Sequence, residues 1–171
     1  MIFYHFSLND YKPGHVLKND SHHDMMTLHH DFETEMENFR KEKFPTLPSR
    51  LLSTYVVDSM KQVKLLRDRY ANWKDCFLYE IEYNHGNYHA FNMDLIKLIQ
   101  VVKGDGNFDD HIKYDLMNSY FLKKSVFDVD LSSINICAKL YSMDPTDNKY
   151  GVEKLIWECL LPNDLVIKNK I

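Results

Sequence analysis

The chain has 171 residues, 44% of them hydrophobic and 27% charged, and a formal net charge of −4. This length suits one domain with a sizeable core, and the globular composition argues against disorder over most of the chain. The sequence has no long basic block, which argues against an extended nucleic-acid-binding surface. The three cysteines lack CxxC spacing, so neither structural zinc nor a disulfide framework is expected.

The N-terminus lacks the basic and apolar regions of a signal peptide. No apolar stretch of the sequence approaches the ~20 residues of a membrane span. We therefore expect a cytoplasmic protein that does not interact with membranes.

The first half of the chain contains aromatic, amphipathic and alternating patterns in succession. They predict a strand over residues 2–7, a helix over 20–43, strands over 51–57, 77–83 and 88–91, and a helix from Asp58 or Ser59 to about Tyr70. The predicted inward-facing residues are Met25, Leu28, Phe32, Met36 and Phe39 in the first helix, and Met60, Val63 and Leu66 in the second.

In the second half, residues 94–102 fit either a helix or a strand. The patterns further predict a loop over 104–110, helices over 115–123 and 132–141, and strands over 152–161 and 165–167. The period changes repeatedly along the chain, which favours an α+β fold over a doubly wound sheet.

Four histidines near the start of the first helix resemble a metal cluster. His22 and His29 share a helical face but lie about 10 Å apart at 1.5 Å rise per residue. A single ion needs ligands about 2 Å away, usually from positions i and i+4, and these histidines lack that spacing. We interpret His22, His23, His29 and His30 as a solvated helix start, and we predict no metal.

Glu158 is the single carboxylate of the apolar run 155–161. Burying an ionised carboxylate is costly by several kcal/mol unless it is paired or opens into a cleft. Therefore this strand either has a solvent-exposed face, or Glu158 lines a site.

Two further places carry polar groups next to apolar strands. His5 lies mid-strand between aromatic residues, either as a hydrogen-bonded sheet residue or as a group that projects into a cleft. Arg50 suits either a phosphate or a surface ion pair. Ser53, Thr54 and Tyr55 suit hydrogen bonding or stacking on a flat ligand ring, although Tyr55 also suits the core.

Together, His5 within Phe3–Ser7, the triplet Ser53-Thr54-Tyr55 and the late Glu158 resemble the three motifs of the ADP-ribosyltransferase superfamily, in the same order. A closer resemblance is to a bacterial and phage family with this fold, carried by residues 40–45, 48–51, 138–141 and 157–158. The second motif departs from both Ser-Thr-Ser and the tyrosine pair. Ile156 stands where a second glutamate would indicate arginine modification.

The resemblance implies a single α+β domain over residues 1–171, with a mixed or antiparallel split sheet and flanking helices. It implies a mono-ADP-ribosyltransferase that consumes NAD as a substrate, without a metal. Glu158 would be the catalytic carboxylate, His5 would orient the adenosine ribose, and Tyr55 would stack on nicotinamide. Ser53 and Thr54 would steady the dinucleotide, and Arg50 would contact its pyrophosphate.

The implied acceptor is a macromolecule, either protein or nucleic acid, and the implied role is that of a toxin or phage–host conflict factor. An antitoxin or inhibitor protein is a further expected partner. Two alternatives stay open. One is a non-catalytic module that binds a nucleotide or a partner, and the other is an NAD glycohydrolase.

Overall fold

The structure is a computed structural model that describes residues 1–18, 25–70, 73–85, 88–104, 110–129, 155–162 and 164–171. Its strands are β1 (Ile2–Ser7), β2 (Val16–Leu17), β3 (Thr54–Val56), β4 (Phe77–Glu82), β5 (His89–Asn92), β6 (Trp157–Leu161) and β7 (Leu165–Lys170). Its α-helices are α1 (Met25–Lys43), α2 (Met60–Arg69), α3 (Met93–Gly104) and α4 (Asp110–Phe121), and a 3-10 helix covers Val126–Asp128. The two sheets are antiparallel, so the predicted α+β class is confirmed.

The chain divides into two compact units, Met1–Ala90 with Glu158–Ile171, and Phe91–Trp157. The prediction of one domain over residues 1–171 stays a prediction. Among the helices that the structure describes, none combines the length and the apolar character needed to cross a membrane.

The first unit contains a four-stranded sheet of order β1-β4-β7-β2. Strand β1 pairs with β4 from Ile2 opposite Glu82 to Ser7 opposite Phe77. The other sheet has the order β3-β6-β5, and Val56 of β3 lies opposite Cys159 of β6. Tyr4 and Val57 form an isolated bridge between their backbones, which holds β1 beside the end of β3. The core of this unit contains Phe3, Leu17, Val56, Tyr79, Ile81, Tyr83, Cys159, Leu161, Leu165 and Ile167.

Helix α1 places the predicted apolar residues Phe32 and Met36 in the interior, whereas Phe39 is half-buried. Arg40, Lys41 and Lys43 occupy its last turn, where positive charge interacts favourably with the helix dipole. The helix ends before the Phe44-Pro45 pair, because the residue before a proline is disfavoured in helical conformation.

Helix α2 begins after Ser59, one of the two predicted N-cap residues, whose side chain accepts a hydrogen bond from the Gln62 backbone N–H at 3.4 Å. Val63 and Leu66 are buried as predicted. The prediction for Met60 is wrong, because its side chain is 49% exposed at the first position of the helix.

Replacing the N-cap Ser59 with alanine is expected to lower the free energy of unfolding by about 1 kcal/mol, because one backbone N–H of α2 loses its acceptor. Urea denaturation of wild type and Ser59→Ala measures this loss. Ser59→Asp is the matched control, since aspartate caps as well as serine. An aspartate variant as unstable as the alanine variant would contradict the capping role.

The second unit contains α3 and α4, and the rings of Phe91 and Tyr120 stack with centroids 4.8 Å apart. Residues 94–102, which fit either element, lie within helix α3. Helix α4 starts earlier than the predicted residue 115, and it ends at Phe121 rather than 123. Lys123 adopts a left-handed φ of 59°, and Lys124 donates to the Ser119 carbonyl at 3.0 Å, which is the Schellman closure of a helix.

Other predicted boundaries also shift. The strand predicted over 51–57 is reduced to Thr54–Val56, because residues 51–52 form a turn instead of pairing. Residues 155–156 precede β6 rather than belonging to it, and β7 extends three residues past the predicted end at Ile167. Strand β2 was missed, since two residues carry no readable periodicity. The predicted helix over 132–141, residues 20–24 and 152–154, and most of the loop over 104–110 lie outside the described residues.

Candidate functional site

The three sequence-distant motifs come together in the first unit. His5 on β1 uses its Nδ1 to donate a hydrogen bond to the Tyr55 carbonyl oxygen on β3, at 3.1 Å. A carbonyl oxygen only accepts, so this geometry requires a hydrogen on Nδ1. Tyr55 in turn lies opposite Leu160, two residues after Glu158 on β6. His5, Tyr55 and Glu158 therefore lie on three adjacent segments of chain.

Glu158 is paired rather than exposed to solvent. Its residue surface is 6% exposed, and the Arg50 guanidinium donates from Nη1 to its Oε1. This ion pair compensates the burial cost that the apolar run implies. The contact joins residues 108 positions apart in the chain.

Arg50 binds a second carboxylate at the same time. Its Nε and Nη2 donate to the two oxygens of Glu33 on α1 at 3.0 and 3.1 Å, which is the bidentate fork geometry. Arg50 itself is only 2% exposed. We call Glu33, Arg50 and Glu158 the buried triad. It holds two carboxylates around one guanidinium, so the formal charges of these three side chains sum to −1.

Tyr55 packs against this triad. Its hydroxyl donates to the Arg50 carbonyl oxygen at 3.0 Å, and the Arg50 Cζ lies 5.0 Å from the centre of its ring. Burial raises the pKa of Tyr55 far more than the nearby Arg50 charge lowers it. The hydroxyl is therefore a neutral donor that holds the Arg50 backbone in place.

Ser53 and Thr54 are both buried at the start of β3. Thr54 lies opposite Leu161 in the sheet. The Ser53 hydroxyl is buried and has no hydrogen-bond partner among the residues that the structure describes. A buried hydroxyl of this kind is costly to leave unsatisfied.

A second buried ion pair holds the chain segment that leads to Arg50. Arg40 donates to both oxygens of Glu37 at 2.9 and 2.8 Å. Its Nη1 also donates to the Pro45 and Leu47 carbonyls at 3.2 and 2.8 Å. Burial alone would raise the pKa of Glu37, but Arg40, together with Ser49 and Lys41, outweighs burial and lowers that pKa.

Sequence reasoning missed Glu33, Glu37 and Arg40 as structural partners of the site. Their spacing of four and three residues places them on one face of α1, next to the apolar stripe of Phe32 and Met36. A row of charges beside an apolar stripe is more often solvated, so the pattern by itself did not identify them. Arg50 was expected to contact a pyrophosphate, but its guanidinium is occupied by two carboxylates in this structure.

The part of the chain that the structure describes contains no group of three or more His, Cys, Asp or Glu side chains that could hold a metal ion. His22 and His23 lie outside the described residues. Neither Cys76 nor Cys159 forms a disulfide among the described residues, and burial raises the pKa of the Cys159 thiol, which makes it a poor nucleophile.

Neither a scan against models of protein families nor a search of curated proteins found a match to this chain. The functional interpretation therefore depends on the residues and geometry of the site itself.

Proposed function

We propose that the protein is a mono-ADP-ribosyltransferase that transfers ADP-ribose from NAD to a macromolecular acceptor. The observation that carries this proposal is the connected series of contacts from His5 through Tyr55 and Arg50 to Glu158. His5, the segment from Arg50 to Tyr55, and Glu158 are remote from one another in sequence, and the resemblance to transferase motifs includes His5, Tyr55 and Glu158.

The reaction breaks the glycosidic bond between C1′ of the ribose and the nicotinamide nitrogen. The bonding electron pair leaves with nicotinamide, and positive charge develops on the ribose in an oxocarbenium-like transition state. A lone pair of the acceptor then forms the new bond to C1′, and the acceptor loses its proton to solvent. A fixed carboxylate stabilises the developing positive charge, and this is the role proposed for Glu158.

The remaining residues would bind and orient the dinucleotide. His5 would hydrogen-bond the adenosine ribose, and the contact of its Nδ1 with the Tyr55 carbonyl would hold the imidazole ring in place. The Tyr55 ring would stack on nicotinamide, and Ser53 would give its hydroxyl to the ligand, with Thr54 beside it. The contacts of Arg50 favour a different role from pyrophosphate binding: holding the Glu158 carboxylate in one orientation.

The acceptor is proposed only as a class, a protein side chain or a nucleic-acid base. The proposed biological role is that of a toxin or phage–host conflict factor. An antitoxin or inhibitor protein would inhibit its activity. The missing second glutamate at Ile156 argues against arginine as the acceptor.

Incubation of the protein with NAD labelled on the adenylate, in a whole-cell extract, tests the proposal. We expect nicotinamide release and transfer of label to protein or nucleic acid, which nuclease and protease treatments distinguish. Release of free ADP-ribose without any acceptor would instead indicate an NAD glycohydrolase. Absence of nicotinamide release under all these conditions would contradict both activities.

A second candidate function is a non-catalytic module that binds a nucleotide or a partner. The burial of Glu158 against Arg50 favours it, because a carboxylate committed to an ion pair serves stability without any chemistry. Calorimetry with NAD, combined with the nicotinamide-release assay, separates the two functions. Binding without turnover supports the module, and binding with turnover supports an enzyme, either the transferase or the glycohydrolase.

A further inference from the structure

Glu33 is the member of the buried triad that the transferase resemblance does not include. It lies on α1, outside the three strand motifs, and is 2% exposed. Both of its carboxylate oxygens accept hydrogen bonds from Arg50, at 3.0 and 3.1 Å. The same guanidinium reaches Glu158 through its remaining Nη1. The two carboxylates therefore share one cation.

Because Glu33 and Glu158 share Arg50, the formal charge of the triad differs from that of a simple ion pair. Arg50 with Glu158 alone would form a neutral pair, and a neutral pair has little attraction for a developing cation. Glu33 brings a second carboxylate to the same guanidinium, so the formal charges of the triad sum to −1 rather than to zero. The bidentate contact also fixes the plane of the guanidinium, and with it the direction from which Arg50 holds Glu158.

We infer that Glu33 is a positioning residue for ADP-ribosyl transfer, acting through Arg50. It orients the Arg50 guanidinium, and its charge lets Glu158 remain effectively negative while it is held in place. This inference rests on the proposed function, since it concerns how the same carboxylate stabilises the same transition state.

A purely structural role for Glu33 makes the opposite prediction for two substitutions. Glu33→Gln keeps the shape of the side chain but removes its charge, whereas Glu33→Asp keeps the charge on a shorter side chain. If Glu33 only fills space and satisfies Arg50, glutamine is the milder change. If its charge matters to the reaction, aspartate is the milder change.

The experiment measures kcat and KM for nicotinamide release by wild type, Glu33→Gln and Glu33→Asp. We expect Glu33→Gln to lower kcat about tenfold or more, with KM for NAD changed less than about threefold, because the lost interaction acts mainly in the transition state. We expect Glu33→Asp to retain a higher kcat than Glu33→Gln.

Glu82→Gln is the control for the loss of a glutamate charge. Glu82 belongs to the same unit but lies outside the site, with its side chain 49% exposed and 3.7 Å from the Lys168 ammonium. We expect its folded protein to keep a kcat equal to that of wild type.

A Glu33→Gln protein with wild-type kcat, or a Glu33→Asp protein no faster than Glu33→Gln, would overturn the inference while leaving the proposed function intact. If Glu33→Gln does not fold, Glu33→Asp decides alone: a kcat near wild type supports the charge role, and a loss of about tenfold or more overturns it. Wild-type protein that releases no nicotinamide would overturn the proposed function, and the role of Glu33 with it.

Discussion

Glu158→Gln is expected to fold normally and to release nicotinamide with a kcat on the order of 10²–10³-fold below wild type, the loss typical of removing one preorganised electrostatic group. Glutamine has the shape of glutamate but carries no charge for the oxocarbenium-like transition state. The fold should persist because Arg50 keeps the bidentate Glu33 carboxylate. Nicotinamide release at saturating NAD measures the effect, and circular dichroism checks the fold.

Glu82→Gln is the control for this prediction. It removes the same charge from a glutamate of the same unit, but the Glu82 side chain is 49% exposed and lies 3.7 Å from the Lys168 ammonium, which is a long ion pair. We expect its kcat to equal that of wild type. A folded Glu158→Gln protein that is as active as Glu82→Gln would eliminate the proposed mechanism.

Arg50→Met is expected to cost about 3–5 kcal/mol in the free energy of unfolding, as removal of one member of a buried ion pair does. Methionine retains most of the length of the side chain but no charge. Glu33 and Glu158 would then face each other in the interior without the guanidinium between them. Urea denaturation at neutral pH measures the loss, and we expect a marginal or unfolded protein at room temperature.

Lys64→Met serves as the surface control, because Lys64 is exposed on α2 and loses the same positive charge. The free energy of unfolding of Lys64→Met should stay within about 0.5 kcal/mol of the wild-type value. A triple variant, Glu33→Gln with Arg50→Met and Glu158→Gln, should recover a large part of the stability, since it leaves no charge of the triad in the interior. A triple variant as unstable as Arg50→Met would assign the loss to packing rather than to charge.

Several elements could be predicted because their signals are local. The aromatic strand β1, the alternating strand β4 and the Ser59 cap of α2 each follow from a few neighbouring residues. The predictions failed where tertiary contacts decide the outcome. Met60 has the spacing of a buried residue yet lies at an exposed helix start, and β2 exists only because β7 pairs with it.

The residues of the candidate site also differ in whether local sequence signals or tertiary contacts determine their roles. The free-energy cost of burying a carboxylate depends on the apolar residues next to it in the sequence. The sequence was therefore sufficient to predict that Glu158, if buried, needs a partner or a cleft. His5 and Tyr55 were selected by motif, and their hydrogen bond is a tertiary contact across 50 residues. The role of Arg50 was predicted less well, because its affinity for phosphate and for carboxylate has the same chemical origin.

Sequence alone therefore predicted the α+β class, and it predicted that Glu158 needs a partner or a cleft unless its strand has a solvent-exposed face. Only the tertiary structure decided that Arg50 is this partner, and that Glu33 shares the same guanidinium. The reason is physical: a desolvation cost depends on the immediate neighbours along the strand, whereas the partner depends on which segments meet. Here those partners are separated from Arg50 by 108 and 17 residues, and no local pattern encodes either contact.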